Sequence, residues 1–412
     1  MKIVYGVILL PIVLWSEGLK ELIVYAKAHN HQLKALEYGS RAKEKSLDSS
    51  KSEYLMPKVF AGGSYRSQSP ASPFQAQDTF LAYGKVSIDL YDGGKILANI
   101  AQKRSELEAS KFDEAYNTKA LELSIVNNFF NIQNQKALLT SLEEEQRELQ
   151  AQIERIETFY RAELVTIDKV DKIKSAFANT AYQITAIQQQ IFSLKKSLGL
   201  KLGREVEVLT PSSIVEPSVS EVQTNDHIQS LDAKANALVH TASSLDSAYR
   251  PHVSLEDTFN IYEYAREESN PMVESLKHQN TIMLNVNMQL FDNGAIKKQK
   301  QALLIQHQAM QEQIDQAKYE QRNNSAVALA EMATAKEKIH SANLALKSAN
   351  SVYNMIEQKF DAKIVDNVTY LDALSDKTSA TVQHQIALNS LEVAKANYYF
   401  QLGLDIEEFV NE

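Results

Sequence analysis

Two long windows without glycine or proline constrain the fold of this chain more than any other feature. One lies between Gly94 and Gly199, and the other lies between Gly294 and Gly403. Both are rich in Ala, Leu, Gln, Glu and Lys, which are strong helix formers. A helix from residue 95 to residue 160 would be roughly 100 Å long at 1.5 Å per residue. Because no ordinary globule could bury such a helix, we expect partner helices to run alongside it.

Mostly apolar residues in these windows are spaced alternately by three and four positions, which is typical of a coiled-coil seam. The series are Leu139, Leu142, Gln146, Leu149, Ile153, Ile156 and Tyr160; Ile184, Ile187, Ile191, Leu194 and Leu198; and Ile339, Ala342, Leu346, Ala349, Tyr353, Ile356 and Phe360. Each window is interrupted by β-branched residues and Asp, at 159–173 and 359–374. We predict a long helix, a tight tip and a return helix in each window.

A shorter motif precedes each window. The sequence VSIDLYDGGK ends at Lys95, and VNMQLFDNGA ends at Ala295. Each alternates apolar and polar residues, and the same period occurs at 57–67 and 251–262, so we predict four strands with one apolar and one polar face. The predicted apolar faces carry Val86, Ile88, Leu90, Leu284, Val286, Met288 and Leu290.

The same order of elements occurs twice, which indicates an internal duplication. We expect a first repeat at 19–200, with a helix, two strands, a long helix and a return helix. A linker at 201–226, a second repeat of the same order at 227–404 and a tail at 405–412 follow. Residues 1–18 have Lys2 before an apolar run that contains Pro11, and we expect them to be a signal peptide for export.

Composition excludes several functional classes. The net charge of −9 argues against a nucleic-acid binder, which needs a basic face to neutralise phosphates. The absence of cysteine excludes disulfides, thiolate metal sites and cysteine catalysis. No motif for a metal site, a phosphate loop or a catalytic triad occurs, so we expect neither an enzyme nor a bound cofactor.

The predicted strands have the length and alternation of strands in a transmembrane β-barrel. Four strands cannot close a barrel, for which about eight are needed. Lipid tolerates no open sheet edge, so several chains must share one barrel if these strands lie in a membrane. The alternative is a coiled-coil structural or scaffold protein of the cell envelope, which has no need of strands with an apolar outer face.

The chain resembles the TolC-like outer-membrane efflux proteins of Gram-negative bacteria over nearly all its length after residue 18. The resemblance is carried by the two copies of L(Y/F)D(G/N)G, the segments YRAELVTIDKV and FDAKIVDNVTYLDAL, the two LGL endings, AKAHNHQL in the first helix, and prolines 57 and 251. It implies a mixed α and transmembrane β fold. Three copies form a homotrimer with a twelve-stranded barrel, four strands per chain, continued by an α-helical coiled-coil barrel, with the linker and tail as a belt.

The resemblance further implies a passive exit channel for drugs, detergents or metal cations in a tripartite pump of the RND type. The partners would be a periplasmic adaptor (membrane-fusion) protein, an inner-membrane transporter and outer-membrane lipid. The channel would lie in the outer membrane and extend through the periplasm.

Two sets of site residues follow from the resemblance. Adaptor docking is expected at the tips, at Glu163, Leu164, Val165, Lys363, Ile364 and Val365. A pore constriction is expected at Asp372, Asp366, Phe360, Asp168, Lys169 and Asp171. Asp372 matches the acidic ring of the family, although it could instead cap the return helix.

Some tip residues depart from the family. Glu163 and Lys363 replace its tip glycines, which puts the conformation of the tips in question. Phe360 and Val365 replace the tyrosine and arginine of its gate latch, so a gate closed by that network is not expected.

Overall fold

The computed structural model of the protein describes residues 18–69, 76–206, 209–218, 222–265 and 276–411. The predicted signal peptide lies outside the described residues, apart from Gly18. The helices are α1 Leu19–His29, α2 His31–Ser52, α3 Lys95–Arg161, α4 Ile167–Leu202, α5 Asp226–Ser244, α6 Ala295–Asp361 and α7 Asn367–Gln401. The strands are β1 Lys58–Ser67, β2 Asp78–Tyr91, β3 Ser213–Ile214, β4 His252–Ala265, β5 His278–Asn287 and β6 Val410–Asn411. Short 3-10 turns lie at Leu245–Tyr249 and Ile406–Phe409.

The described residues form two compact units, each of which takes segments from both predicted repeats. The first contains the residues up to Ala35, Glu114–Asp226 and those from Lys318 onward. The second contains Leu36–Asp113 and His227–Ala317. Within the described residues, no helix is both long enough and apolar enough to cross a membrane.

The long helices and return helices lie where the sequence predicts them. α3 and α6 contain 67 residues each, and α4 and α7 contain 36 and 35. The predicted seam residues are buried or half-buried, with Leu149 1% and Leu198 0% exposed, and in the series on α6 Tyr353 is the buried member. Tyr160 is an exception, since its side chain is exposed at the end of α3.

Each long helix begins just after an aspartate that bonds its first turn. Asp92 accepts hydrogen bonds from the backbone N–H groups of Gly94 at 2.9 Å and Ile96 at 2.5 Å. Asp292 accepts the equivalent bonds at 2.9 and 2.7 Å. The first N–H groups of a helix lack partners within it, and the carboxylate supplies them. The Asp of the repeated motif therefore starts the helix.

The residue after each of these aspartates explains why the motif reads Asp-Gly-Gly once and Asp-Asn-Gly once. Gly93 and Asn293 have left-handed φ values of 74° and 58°. Glycine adopts this conformation freely, and Asn tolerates it. A Cβ atom at Gly93 would lie 2.7 Å from the carbonyl oxygen of Ser247, so only glycine fits there.

The four longer strands pair into one antiparallel sheet in the order β1-β2-β4-β5, within the second unit. β5 ends at Asn287, which pairs with His252, the first residue of β4. The preceding residue is Pro251, which has no N–H to donate, so the pairing stops there. The prediction that the strand continues through Met288 to Leu290 is therefore wrong: the alternation continues in the sequence, but the partner strand does not.

The C-terminal segment packs against the linker in the first unit. β3 pairs with β6 through Ile214 and Val410. The buried Glu122 carboxylate accepts the backbone N–H of Ile406 at 2.7 Å and forms an ion pair with Lys27 at 2.8 Å. Burial raises the pKa of Glu122 even though Lys27 opposes the shift. These contacts hold the last described residues against α3.

The first helix differs from the prediction, which treats AKAHNHQL as part of one helix. Asn30 separates α1 from α2 with an extended backbone at ψ 125°. Its side-chain oxygen accepts the N–H groups of Gln32 and Leu33 at 2.8 and 3.0 Å, and its amide donates to the carbonyl of Lys201 at 2.7 Å. An Asn that caps a new helix is thus the reason for the break.

Candidate functional site

One face of the sheet is apolar across its four strands. The register joins apolar side chains in rows: Val59 with Val86, Ile88 with Leu255 and Leu284, Ala82 with Ile261, and Val253 with Val286. The opposite face carries Lys85 and Glu256, which form an ion pair at 2.7 Å. Val86, Ile88, Leu284 and Val286 therefore share one face, as the alternation predicts. Asp257 and Glu263 interrupt this face on β4.

The apolar face is the more exposed of the two. From Leu255 to the end of β4, the side chains on the apolar face are exposed and those on the polar face are half-buried. Val286 is 61% and Ile282 is 70% exposed. A soluble antiparallel sheet shows the reverse, since it packs its apolar face on a core. The arrangement is typical of a sheet whose outer face meets lipid.

Three of the predicted apolar positions depart from the regular pattern. Met288 and Leu290 lie beyond the end of β5, so neither belongs to the face of the strand. Leu90 lies at a β-bulge between Asp89 and Tyr91, where the register of β2 against β4 shifts. All three side chains are nevertheless exposed.

Both helical tips in the first unit turn in the same way. Glu163 and Lys363 have left-handed φ values of 59° and 60°. The N–H of Leu164 donates to the carbonyl of Phe159 at 2.9 Å, and the second tip has the equivalent bond at 2.8 Å. This is the Schellman turn, in which glycine is usual. The two non-glycine residues keep that conformation, at a cost of about 1–2 kcal/mol each.

The two tips lie side by side. Arg155 of α3 forms an ion pair with Asp361 at the end of α6. The Lys363 ammonium lies 4.5 Å from the centre of the Phe159 ring. The side-chain amide of Asn367 donates to the carbonyl of Lys169 at 3.1 Å. Of the predicted docking residues, Leu164, Val165, Lys363 and Val365 line one cleft between the tips, and Glu163 and Ile364 do not.

The predicted constriction residues occupy different environments. Lys169, Phe360 and Asp366 line the same cleft, whereas Asp168, Asp171 and Asp372 are exposed outside it. Asp366 caps α7, because its carboxylate accepts the N–H of Thr369 at 3.0 Å. That bond and the Thr369 hydroxyl hold the pKa of Asp366 below its usual value. The alternative prediction that Asp372 caps α7 is therefore wrong, because Asp372 lies in the second turn of the helix.

A buried polar cluster near the tips is absent from the sequence prediction. Tyr353 is 3% exposed, and its hydroxyl bonds the Glu148 carboxylate. Glu148 also accepts from Lys377 at 3.2 Å, and Tyr370 lies within 3.4 Å of the Tyr353 hydroxyl. Burial and the Glu148 bond raise the pKa of Tyr353. The sequence signal is slight: Tyr353 occupies a seam position, where a buried hydroxyl must find a partner.

The aromatic ring of Phe360 contacts this cluster. It stacks on Tyr370 with a centroid distance of 4.7 Å. Phe360 thus packs against the buried cluster near the tips that contains Val170, Ile173 and Leu374.

Comparisons with known proteins find a match to one family model and similarity to several solved structures. Residues 220–404 match the family model described as outer membrane efflux protein. The fold is similar to that of CusC, with a TM-score of 0.80 and 16% sequence identity over 94% of this chain and 92% of that chain. It is similar to VceC from Vibrio cholerae, with a TM-score of 0.79 and 15% identity over 94% of this chain and 96% of that chain. It is also similar to the Campylobacter jejuni CmeC outer membrane channel, with a TM-score of 0.81 and 15% identity over 93% of this chain and 85% of that chain. No curated protein matches the chain in sequence.

Proposed function

Residues 220–404 match the model of the outer membrane efflux protein family, and on this premise we propose that the chain forms the exit channel of a tripartite efflux system. The protein lies in the outer membrane, with its helical part extending into the periplasm. Members of the family are channels rather than enzymes. The cargo would be drugs, detergents or metal cations that an inner-membrane transporter and a periplasmic adaptor deliver.

The observation that carries the proposal is the exposed apolar face of the four-stranded sheet. Within the described residues, β1 and β5 each pair on one side only, so the sheet has two open edges. Lipid tolerates no such edge. Three chains would supply twelve strands from their four-stranded sheets and close the barrel. A coiled-coil scaffold would need neither the apolar face nor the closure.

The helical parts have separate roles in this proposal. The tips follow the C-terminal ends of α3 and α6, whereas the strands precede the N-terminal ends of these helices. We assign adaptor docking to the tips and the pore constriction to Asp372, which three-fold symmetry would repeat around the axis. A ring of three carboxylates attracts cations and makes a cation-selective constriction. The two halves of the chain, which have the same order of elements, would arise by duplication.

The proposal is tested on the full chain, extracted from membranes in detergent. We expect a mass of three chains in native mass spectrometry and ion conductance after reconstitution into a planar bilayer. Recovery of the protein in the soluble fraction without detergent, together with absence of conductance, would refute the channel and favour the scaffold.

A further inference from the structure

The junctions between the strands and the helices of the second unit carry exposed apolar and aromatic side chains. All four junctions lie at one end of the antiparallel sheet, at residues 53–57, 92–94, 250–251 and 288–294. The exposed side chains at or beside them are Tyr54, Leu55, Met56, Leu90, Tyr91, Tyr249, Met288, Leu290 and Phe291. A girdle of aromatic residues marks the level at which a membrane β-barrel meets water.

Basic side chains lie beside this apolar band, where the chain passes between helix and strand. The four exposed basic residues are Lys95 at the start of α3, Arg250 before β4, and Lys297 and Lys298 in the first turn of α6. The chain as a whole has a net charge of −9, so a group of four cations departs from its composition. We call these four residues and the apolar band the junction belt.

The nearby carboxylates are already engaged. Asp92 and Asp292 bond the backbone N–H groups at the starts of α3 and α6. Asp246 forms an ion pair with Lys300 at 2.8 Å. Asp89 lies 3.2 Å from the imidazole of the first residue of β4. These four carboxylates are therefore poorly placed to neutralise the cations of the belt.

The cations of the belt lack ionic partners within the part of the chain that the structure describes. No ion pair there joins Lys95, Lys297 or Lys298 to a carboxylate. The residues three and four positions after each lysine, where a helical partner would lie, are not acidic. Arg250 donates to the carbonyl of Gly93 at 3.0 Å, and this neutral acceptor leaves the charge uncompensated. Glu53 adds one exposed carboxylate at the first junction, so positive charge remains in excess.

We propose that the junction belt binds anionic phospholipids of the periplasmic leaflet of the outer membrane. The helical part of the protein extends into the periplasm, so the helix ends of the strands lie at that leaflet. The apolar side chains contact the acyl chains, and the cations lie at the level of the phosphates. Lysine and arginine near a membrane surface attract anionic lipids. This inference needs the location in the membrane but neither the cargo nor the adaptor.

A zwitterionic phospholipid offers the same phosphate, but its own ammonium group offsets the charge. The belt should therefore prefer a lipid with net negative charge, and this preference is the measurable consequence. The one tryptophan of the sequence, Trp15, lies in the predicted signal peptide. After removal of that peptide, an introduced tryptophan is the sole reporter. Tyr91→Trp places it in the belt, and Phe259→Trp places it on the apolar face of β4, away from the junctions.

The test uses the full chain in phosphatidylcholine vesicles that contain a fixed minor share of a lipid with brominated acyl chains, which quench tryptophan on contact. The brominated lipid is either phosphatidylglycerol or phosphatidylcholine. At low salt we expect phosphatidylglycerol to bind about fivefold more tightly at Tyr91→Trp, with a smaller preference at high salt. At Phe259→Trp the two lipids should quench equally.

Substitutions of lysines identify the groups responsible for the preference. Lys95→Gln/Lys297→Gln/Lys298→Gln in the Tyr91→Trp background should bring the two lipids close to equal affinity. The matched control is the triple variant at exposed lysines further along α3 and α6, which should keep the preference; it is Lys111→Gln/Lys338→Gln/Lys347→Gln.

Three outcomes overturn the inference: equal quenching at Tyr91→Trp, an equal preference at Phe259→Trp, or a preference that persists in the first triple variant. Soluble glycerol phosphate should leave the preference unchanged, and its loss on this addition would show a site for free phosphate rather than for lipid. Conductance of the same preparations in planar bilayers separates the claims. Normal conductance with equal quenching refutes the lipid site and leaves the channel intact.

Discussion

The aspartates that start the long helices allow a quantitative test of the repeated motif. Asp92→Ala removes the acceptors of the Gly94 and Ile96 N–H groups. Loss of a side-chain acceptor at a helix start costs about 1–2 kcal/mol. Since both carboxylate oxygens of Asp92 are used, we expect the upper part of this range. A decrease of about 1.4 kcal/mol in the local opening free energy accelerates amide exchange about tenfold.

Hydrogen–deuterium exchange with mass spectrometry on the full chain in detergent measures this effect. Exchange should rise in the peptide that covers the first turn of α3, and exchange at the start of α6 should not change. Asp292→Ala should give the reciprocal result. Asp92→Asn should give a smaller increase than Asp92→Ala, because the amide keeps one acceptor oxygen and loses the other. Unchanged exchange in Asp92→Ala, or an increase spread along all of α3, would show that the aspartate does not start the helix.

Three further predictions concern the sheet, the constriction and the buried cluster. Val286→Arg should lower the yield of trimer on a native gel, because an Arg on a lipid-facing surface costs about 2–4 kcal/mol near the bilayer midplane. Asn287→Arg on the polar face should leave the yield unchanged, and equal yields of the two variants would contradict the face assignment. Asp372→Asn should weaken cation selectivity in planar bilayers with little loss of trimer, and unchanged selectivity would remove Asp372 from the pore. Tyr353→Phe should lower the melting temperature, because the lost bond to Glu148 is worth about 1.5–3 kcal/mol; an equal or higher melting temperature would show that the cluster does not stabilise the tips.

The long helices, the return helices and the four longer strands could be predicted because each follows from a local rule. Absence of glycine and proline predicts α3 and α6, and strict alternation predicts the four strands and their faces. The end of β5 could not be predicted from its own residues, because it depends on Pro251, which directly precedes the partner strand. The β-bulge at Leu90 likewise depends on pairing with β4.

Less of the candidate site than of the fold could be predicted from the sequence. The tips could be located by the interruption of the heptads, but not the left-handed conformations of Glu163 and Lys363, which local propensity disfavours. The break at Asn30 carried a usable signal, since Asn is a preferred cap. Pairs such as Arg155 with Asp361 join residues about two hundred positions apart, and only the packing of the tips brings them together.

The turn before α6 also affects how readily Asn293 can deamidate. Asn293 is followed by Gly294, and in such a pair the glycine nitrogen can attack the side-chain amide carbon, release ammonia and close a succinimide ring that water opens to Asp or isoaspartate. The Gly294 N–H donates to the Asp292 carboxylate at 2.9 Å, which opposes the loss of the proton that this attack requires. We therefore expect the aspartate that starts the helix to slow deamidation of the adjacent asparagine as well. The equivalent turn before α3 has Gly93 in this place and needs no such protection.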